Sequence, residues 1–235
     1  MRYETPETIG EAVSLLAIAE GSGRVLAGGT DLLVQLRSGV VEPGVVVDIK
    51  KIAETREITA ENGGFRVGAA VTGAELDEHK ALKKLWPGVV EAVELIGSTQ
   101  IQGRASMGGN LCNASPAADS VPALIAAGAL CHIAGLDGER TLPVEGFCTG
   151  PGMTNLKSGE FLVSFTLPSR PPYSGDAYLR FIPRTEMDIA VVGVGVSLTL
   201  DSNGNCILAR VGLGAVAATA LLVTEAAEAL IGTSV

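Results

Sequence analysis

Between residues 25 and 39 the chain reads VLAGGTDLLVQLRSG, and a β-rich run meets an amphipathic run with only Gly28, Gly29 and Thr30 at the junction. A strand that becomes a helix within so few residues must pack the two as neighbouring layers of an α/β unit. Gly28 and Gly29 permit positive φ, and Thr30 can cap the helix that follows. The same small residues also bare backbone N–H groups at a helix start, which is how main chain binds phosphate. Taken by itself, the stretch reads as a structural turn ahead of a phosphate-binding one.

The flanking sequence supports such a unit. Ile9, Val13 and Leu16 share one face of a helix that Gly21 ends, RVLAG is a short strand, and GVVVDIK is a buried strand. Then the pattern changes. Two alternating strands surround Asn62-Gly63-Gly64, a hairpin signal. Thr72 and Glu75 stand at capping-box spacing, and WPGVVEAVELIG is a helix with Pro87 in its first turn and Gly97 at its end. A hairpin turning at Asp137-Gly138 and the strand GEFLVSFTLP follow. SRPPYSGDA is read as a linker, and beyond it lie three antiparallel strands and a final helix, ALLVTEAAEALIG. The expected division is 1–55, 56–170 and 171–235. Three strands and one helix leave a sheet face poorly covered, so either a partner covers it or the chain is a shortened one.

Composition narrows the function. The 235 residues are 47% hydrophobic and 18% charged, with a net charge of −9. A chain this apolar is globular, and its negative charge, free of any basic cluster, argues against a nucleic-acid partner. No apolar run approaches the ~20 residues of a membrane span, and the N-terminus lacks the form of a signal peptide. The cytoplasm is the expected compartment. Cys112, Cys131, Cys148 and Cys206 are far apart and form no CxxC pair. They read as free thiols, without the spacing of a zinc or iron–sulfur site.

From Ser98 to Asp119 the chain shows no period, and within that run a second glycine-rich segment, ASMGGNLCNASPAAD (105–119), carries many hydrogen-bonding groups, among them Asn110, Asn113, Ser115 and Asp119. Such a run in a compact domain is either a capped loop or a ligand contact. Together with the first turn it could hold both halves of a diphosphate. Neither turn fits G-x-G-x-x-G or the P-loop pattern. His79 and His132 lie in a solvent-facing helix pattern and a hairpin strand, with no nucleophile context. No catalytic or metal-ligating set is legible, as suits a chain whose chemistry belongs to a bound cofactor.

The order and spacing of AGGTDLL and ASMGGN…ASPAAD resemble the flavin-binding subunit of the molybdenum hydroxylases. That family includes the medium subunit of carbon monoxide dehydrogenase and the flavin domain of xanthine dehydrogenase. The resemblance continues through GEFLVSFTLP, RTEMDIAVVGVGVSLTL and VGLGAVAATALLVTEAAEALIG, so it covers nearly the whole chain. It implies an α+β fold of the vanillyl-alcohol-oxidase type, in which two α/β subdomains hold FAD and a small antiparallel C-terminal domain closes over it.

By the same resemblance Leu26, Ala27, Gly28, Gly29, Thr30, Asp31, Leu32 and Leu33, with Ser106, Met107, Gly108, Gly109 and Asn110, would bind the diphosphate and ribitol region. Ile96, Asp119 and Leu162 match further FAD-contact positions, and Cys112 is the cysteine placed to approach the cofactor. Arg180 stands where some members carry lysine; both are cations that favour reduced, anionic flavin, though arginine is planar and longer. The implied role is electron relay. A molybdenum-binding subunit with molybdopterin oxidises the substrate, an iron–sulfur subunit with two [2Fe–2S] clusters carries electrons to FAD, and FAD passes them to an external acceptor. A self-sufficient flavin oxidase and a scaffold subunit that has lost FAD are the alternatives.

Overall fold

The computed structural model describes residues 1–185 and 187–234. The N-terminal part is a small parallel sheet built from β1 (Arg2–Glu4), α1 (Ile9–Ile18), β2 (Gly23–Leu26), α2 (Leu32–Arg37) and β3 (Val45–Asp48), in the order β1-β3-β2. Thr8 caps α1 in a complete capping box with Glu11. Val13 and Leu16 are buried as their spacing requires, and Ile9 packs beside them. β3 is buried along its whole length, the mark of a central parallel strand.

The middle of the chain forms a five-stranded antiparallel sheet and a layer of short helices. β4 (Ile58–Glu61) and β5 (Gly64–Gly68) make the expected hairpin, with Asn62 and Gly63 both at positive φ. α3 (Gly73–Glu78) starts in the Thr72–Glu75 capping box. The chain then breaks at His79, whose Nδ1 caps α4 (Lys80–Leu85) by accepting from the Leu82 N–H. This histidine is therefore a helix junction and not a position on a continuous helix. α5 (Pro87–Glu94), α6 (Thr99–Gln102), α7 (Met107–Cys112) and α8 (Ser120–Ala127) follow, then β6 (Leu130–Gly135), β7 (Gly138–Pro143), β8 (Cys148–Gly150), β9 (Met153–Thr154) and β10 (Phe161–Leu167). The sheet order is β4-β5-β10-β6-β7.

Its two faces bind the molecule together. One face packs Phe65, Val67, Phe165 and Leu167 under α3, α5, α7 and α8. The other presents Ala134, Phe161 and Val163 to α1 and β3. The segment 98–119, read as aperiodic, contains α6 and α7. At four and six residues they are too short to show a period, and the glycines of α7 hide it further.

The C-terminal sheet runs β11 (Ser174–Phe181), β12 (Val192–Leu200), β13 (Cys206–Gly214) and β14 (Leu221–Leu222), in that order, with α9 (Thr224–Leu230) on its outer side. Residues 221 and 222 pair with β13, so the final helix starts later than its apolar run suggests. Glycines alternate along β12 and β13 so that one face lets α8 lie directly on the strands. A Cβ at Gly195 would meet the Pro122 carbonyl oxygen at 2.5 Å, and one at Gly212 would meet it at 2.3 Å. The expected linker is partly strand. β11 begins at Ser174, and Asp176 is buried in an ion pair with Arg170, which lies 4.4 Å over the Trp86 ring. On the outer face α9 covers Val194, Val196 and Leu213, while Leu179 and Phe181 stay exposed.

Candidate functional site

At the end of β2 the chain leaves the small sheet and turns sharply. The two glycines of this turn have different jobs. Gly29 takes φ +79°, which L side chains rarely adopt. Gly28 has no positive φ; it is needed because a Cβ there would sit 1.8 Å from the Arg104 carbonyl oxygen. Helix α2 begins at Leu32 after Asp31, and no side chain caps it, so Thr30 is not the cap its type suggested. The N–H groups of Gly28, Gly29, Thr30, Asp31 and Leu32 find no partner among the described residues. Beneath the turn, Lys50 Nζ donates to the Ala27 carbonyl (2.9 Å) and to Asp48 Oδ1 (2.7 Å). Tyr3 donates its hydroxyl to the other Asp48 oxygen. Burial raises the Asp48 carboxyl, but the bonds from Lys50 and Tyr3 outweigh it, and its pKa ends below the ordinary value.

The second turn repeats this division of labour. Ser106 pairs with Thr72 in an isolated bridge and caps α7, its Oγ accepting from the Gly109 N–H at 3.1 Å. Gly108 abuts β5's extension: a Cβ there would lie 2.3 Å from the Ala69 carbonyl oxygen. Gly109 faces open space, with only Ser106 Oγ within reach of an added Cβ, at 3.3 Å. Asn110 Oδ1 accepts from the N–H and hydroxyl of Ser120 and so ties α7 to α8. Gln35 donates to Asn113 Oδ1 (3.2 Å), linking α2 to α7. The two turns, about 75 residues apart in sequence as their spacing was read, thus stand side by side through Gly28 and Arg104.

They form the walls of a cleft of about 730 Å³, inside the usual ~300–1,000 Å³ of a small-molecule site. Of the expected residues, Ala27, Gly28, Gly29, Thr30, Asp31, Leu32, Ile96, Ser106, Gly108, Gly109, Asn110 and Leu162 line it. Cys112 does too. Leu26 and Met107 are buried beneath the turns, and Leu33 is on the exposed side of α2. A third wall, from Gly152 through Phe161, had no signal in the sequence beyond the turn glycines Gly152 and Gly159, both at positive φ. It brings Lys157 to the cleft, along with Glu160, whose carboxylate is held by Arg140 in two hydrogen bonds at 2.8 and 2.7 Å.

Asp119 and Arg180 do not line the cleft. They face each other across the seam between α8 and β11. Arg180 Nη1 donates to Asp119 Oδ2 (3.0 Å) and to the Leu95 carbonyl (3.0 Å), and Tyr178 donates to Asp119 Oδ1 (3.0 Å). Burial raises the Asp119 carboxyl despite these partners, and burial with the neighbouring carboxylate pushes the Tyr178 phenol up. Arg180's charge is thereby offset by Asp119. Its other partner, the Leu95 carbonyl, belongs to the residue before Ile96, which does line the cleft.

The site offers unpaired backbone donors, glycine surfaces and apolar walls. His132 bonds Thr166 on the five-stranded sheet, and neither it nor His79 lines the cleft. Among the described residues no cluster of His, Cys, Asp and Glu could hold a metal ion. Such an arrangement suits an anionic, partly apolar ligand and offers little acid–base chemistry of its own.

Comparison with known proteins agrees with that geometry. Residues 1–170 match the family described as FAD binding domain in molybdopterin dehydrogenase, and residues 177–235 match CO dehydrogenase flavoprotein C-terminal domain. The xanthine dehydrogenase FAD-binding subunit of Escherichia coli O157:H7 is 36% identical over 219 residues, covering 92% of this chain and 74% of its own. The carbon monoxide dehydrogenase medium chain of Hydrogenophaga pseudoflava is 32% identical over 220 residues, or 93% and 76% of the two chains. Among solved structures, Cu,Mo-CO dehydrogenase in its cyanide-inactivated form aligns with a TM-score of 0.95 at 30% identity, over 100% of this chain and 81% of that one.

Proposed function

Because this chain belongs to the family of FAD-binding subunits of the molybdenum hydroxylases, we propose that its cleft holds FAD and that it relays electrons within a multi-subunit complex. The observation that carries the reading is the run of unpaired N–H groups from Gly28 to Leu32, set against the open backbone of Gly109. One turn is enough for a single phosphate; two adjoining turns suit a diphosphate.

The residues divide the work. Gly28, Gly29, Thr30, Asp31 and Leu32, with Ser106, Gly108, Gly109 and Asn110, bind the diphosphate and ribitol. Ile96 and Leu162 give the flavin ring an apolar wall. Leu26, Leu33 and Met107 support the turns from outside the cleft. Asp119 and Arg180 position Ile96 through the Leu95 carbonyl. FAD supplies one- and two-electron redox chemistry when bound. The protein orients it and excludes water.

Three units, 1–55, 56–170 and 171–235, correspond to the three main sheets in this reading. An iron–sulfur subunit with [2Fe–2S] clusters delivers electrons, and a molybdenum-binding subunit with molybdopterin oxidises the substrate. No helix among the described residues is long and apolar enough to cross a membrane. The four cysteines are free, as a reducing cytoplasm would keep them.

The test mixes purified subunits and follows flavin absorbance after substrate is added to the molybdenum subunit. Reduction that requires the iron–sulfur subunit supports the relay. Turnover of an organic substrate by this chain and FAD alone would replace it with a self-sufficient oxidase. A complex that turns over without any flavin would leave the chain a scaffold.

A further inference from the structure

Lys50 lies outside the cleft, yet its side chain reaches the main chain of the first glycine turn. Its Nζ donates to the Ala27 carbonyl at 2.9 Å, and Ala27 is the residue before Gly28. Asp48 holds that ammonium from the other side at 2.7 Å and also accepts from the Lys50 N–H at 3.0 Å. Tyr3, from β1, fixes the second Asp48 oxygen. The ammonium is thus tethered by groups from two strands of the small sheet. At the same turn, Gly28 rests against the Arg104 carbonyl.

The peptide joining Ala27 to Gly28 is trans, since the described residues contain no cis bond. In a trans peptide the carbonyl and the N–H point in opposite directions. A carbonyl held by Lys50 therefore turns the Gly28 N–H away from Lys50. That N–H has no partner among the described residues, and Gly28 lines the cleft.

We propose that Lys50, tethered by Asp48 and Tyr3, is a positioning residue that sets the orientation of the Ala27–Gly28 peptide and so aims the Gly28 N–H at a bound diphosphate. This rests on the FAD reading above. Lys50 touches the turn and not the ligand. Without it the peptide can rotate, and the site loses one pre-aimed donor to an anion. Losing one such charge-assisted contact weakens binding about tenfold to a hundredfold.

The experiment measures FAD and ADP binding to the full-length apoprotein, by fluorescence quenching and by competition. Wild type, Lys50→Met, Lys50→Arg and Tyr3→Phe are compared at low salt and at about 1 M salt, where the Debye length falls to roughly 3 Å. Thermal unfolding of each apoprotein is recorded in parallel. Lys50→Met should weaken both ligands by roughly tenfold or more; losing the Asp48 ion pair also lowers the apoprotein Tm by a few degrees, but the variant stays folded at the assay temperature. Lys50→Arg should restore most of the affinity, and Tyr3→Phe should give a smaller loss of the same kind.

Equal affinity of Lys50→Met and wild type would overturn the role. So would convergence of the two at high salt, which would make Lys50 a plain charge. Affinity that tracks apoprotein stability across all three variants, without rescue by arginine, would make it merely structural. Wild type that binds neither ligand would instead overturn the FAD reading, an outcome visible before any variant is compared.

Discussion

Replacing Gly109 by alanine separates ligand binding from folding at the second turn. Gly109 lies inside α7, at negative φ, where alanine is the better helix former by about 0.8–1 kcal/mol. The new methyl meets one neighbour, Ser106 Oγ at 3.3 Å, which must give by a few tenths of an ångström. The folded protein should therefore be unchanged or stabler by up to about 1 kcal/mol, a Tm rise of roughly 2–4 °C for a chain of this size. The same methyl stands in the cleft that Gly109 lines, where the proposed reading has main chain approach the diphosphate. If it displaces one charge-assisted N–H contact the loss is about 1.5–3 kcal/mol, or tenfold to a hundredfold in Kd.

Gly108→Ala is the control one residue away. Its Cβ would lie 2.3 Å from the Ala69 carbonyl oxygen, so backbone must move, at about 1–3 kcal/mol. Calorimetry of both apoproteins and FAD titration of each give the answer. The pair should split, with Gly109→Ala losing flavin and keeping stability, and Gly108→Ala losing stability. If Gly109→Ala bound FAD as wild type does, the open side of that turn would not be where the cofactor lies.

Other consequences can be measured with ordinary variants. Asp119→Ala leaves the Arg180 guanidinium buried without its carboxylate, and denaturant unfolding should show a loss of about 3–5 kcal/mol. Gly195→Ala drives a methyl to 2.5 Å from the Pro122 carbonyl and should lower stability by about 1–3 kcal/mol without touching the cleft. The lowered pKa of Asp48 stabilises the fold above the ordinary carboxylate value, and that stability should disappear as pH falls through the folded pKa. Asp48→Asn should flatten the acid limb of the stability–pH curve; an unchanged limb would show that the Lys50 and Tyr3 bonds do not act on it.

Sequence reasoning found both cleft-lining turns because their main signals are local. The two glycine turns, their order, the Thr72–Glu75 box and both hairpins are written within a few residues each, and the structure places the turns on one cleft. It could not assign each glycine its reason. Gly28 and Gly108 are required by carbonyls of Arg104 and Ala69, contacts that exist only once distant segments pack. Helix α7 escaped notice since six residues with two glycines carry no period. The wall from Gly152 to Phe161 was invisible for the same reason as the Asp119–Arg180 pair: both depend on which strands become neighbours. The alternating glycines of β12 and β13, by contrast, were in plain view. Their meaning is the seat of α8.

The account stands most directly on what the cleft holds. The protein should be purified together with the iron–sulfur and molybdenum subunits proposed for it, any flavin released by heat, and the released compound identified by mass and quantified against the chain. FAD, at close to one per chain, is the result the two adjoining turns call for. FMN would mean that only one phosphate is bound, and no flavin at all would mean that the glycine turns serve the fold alone; either would contradict the proposal.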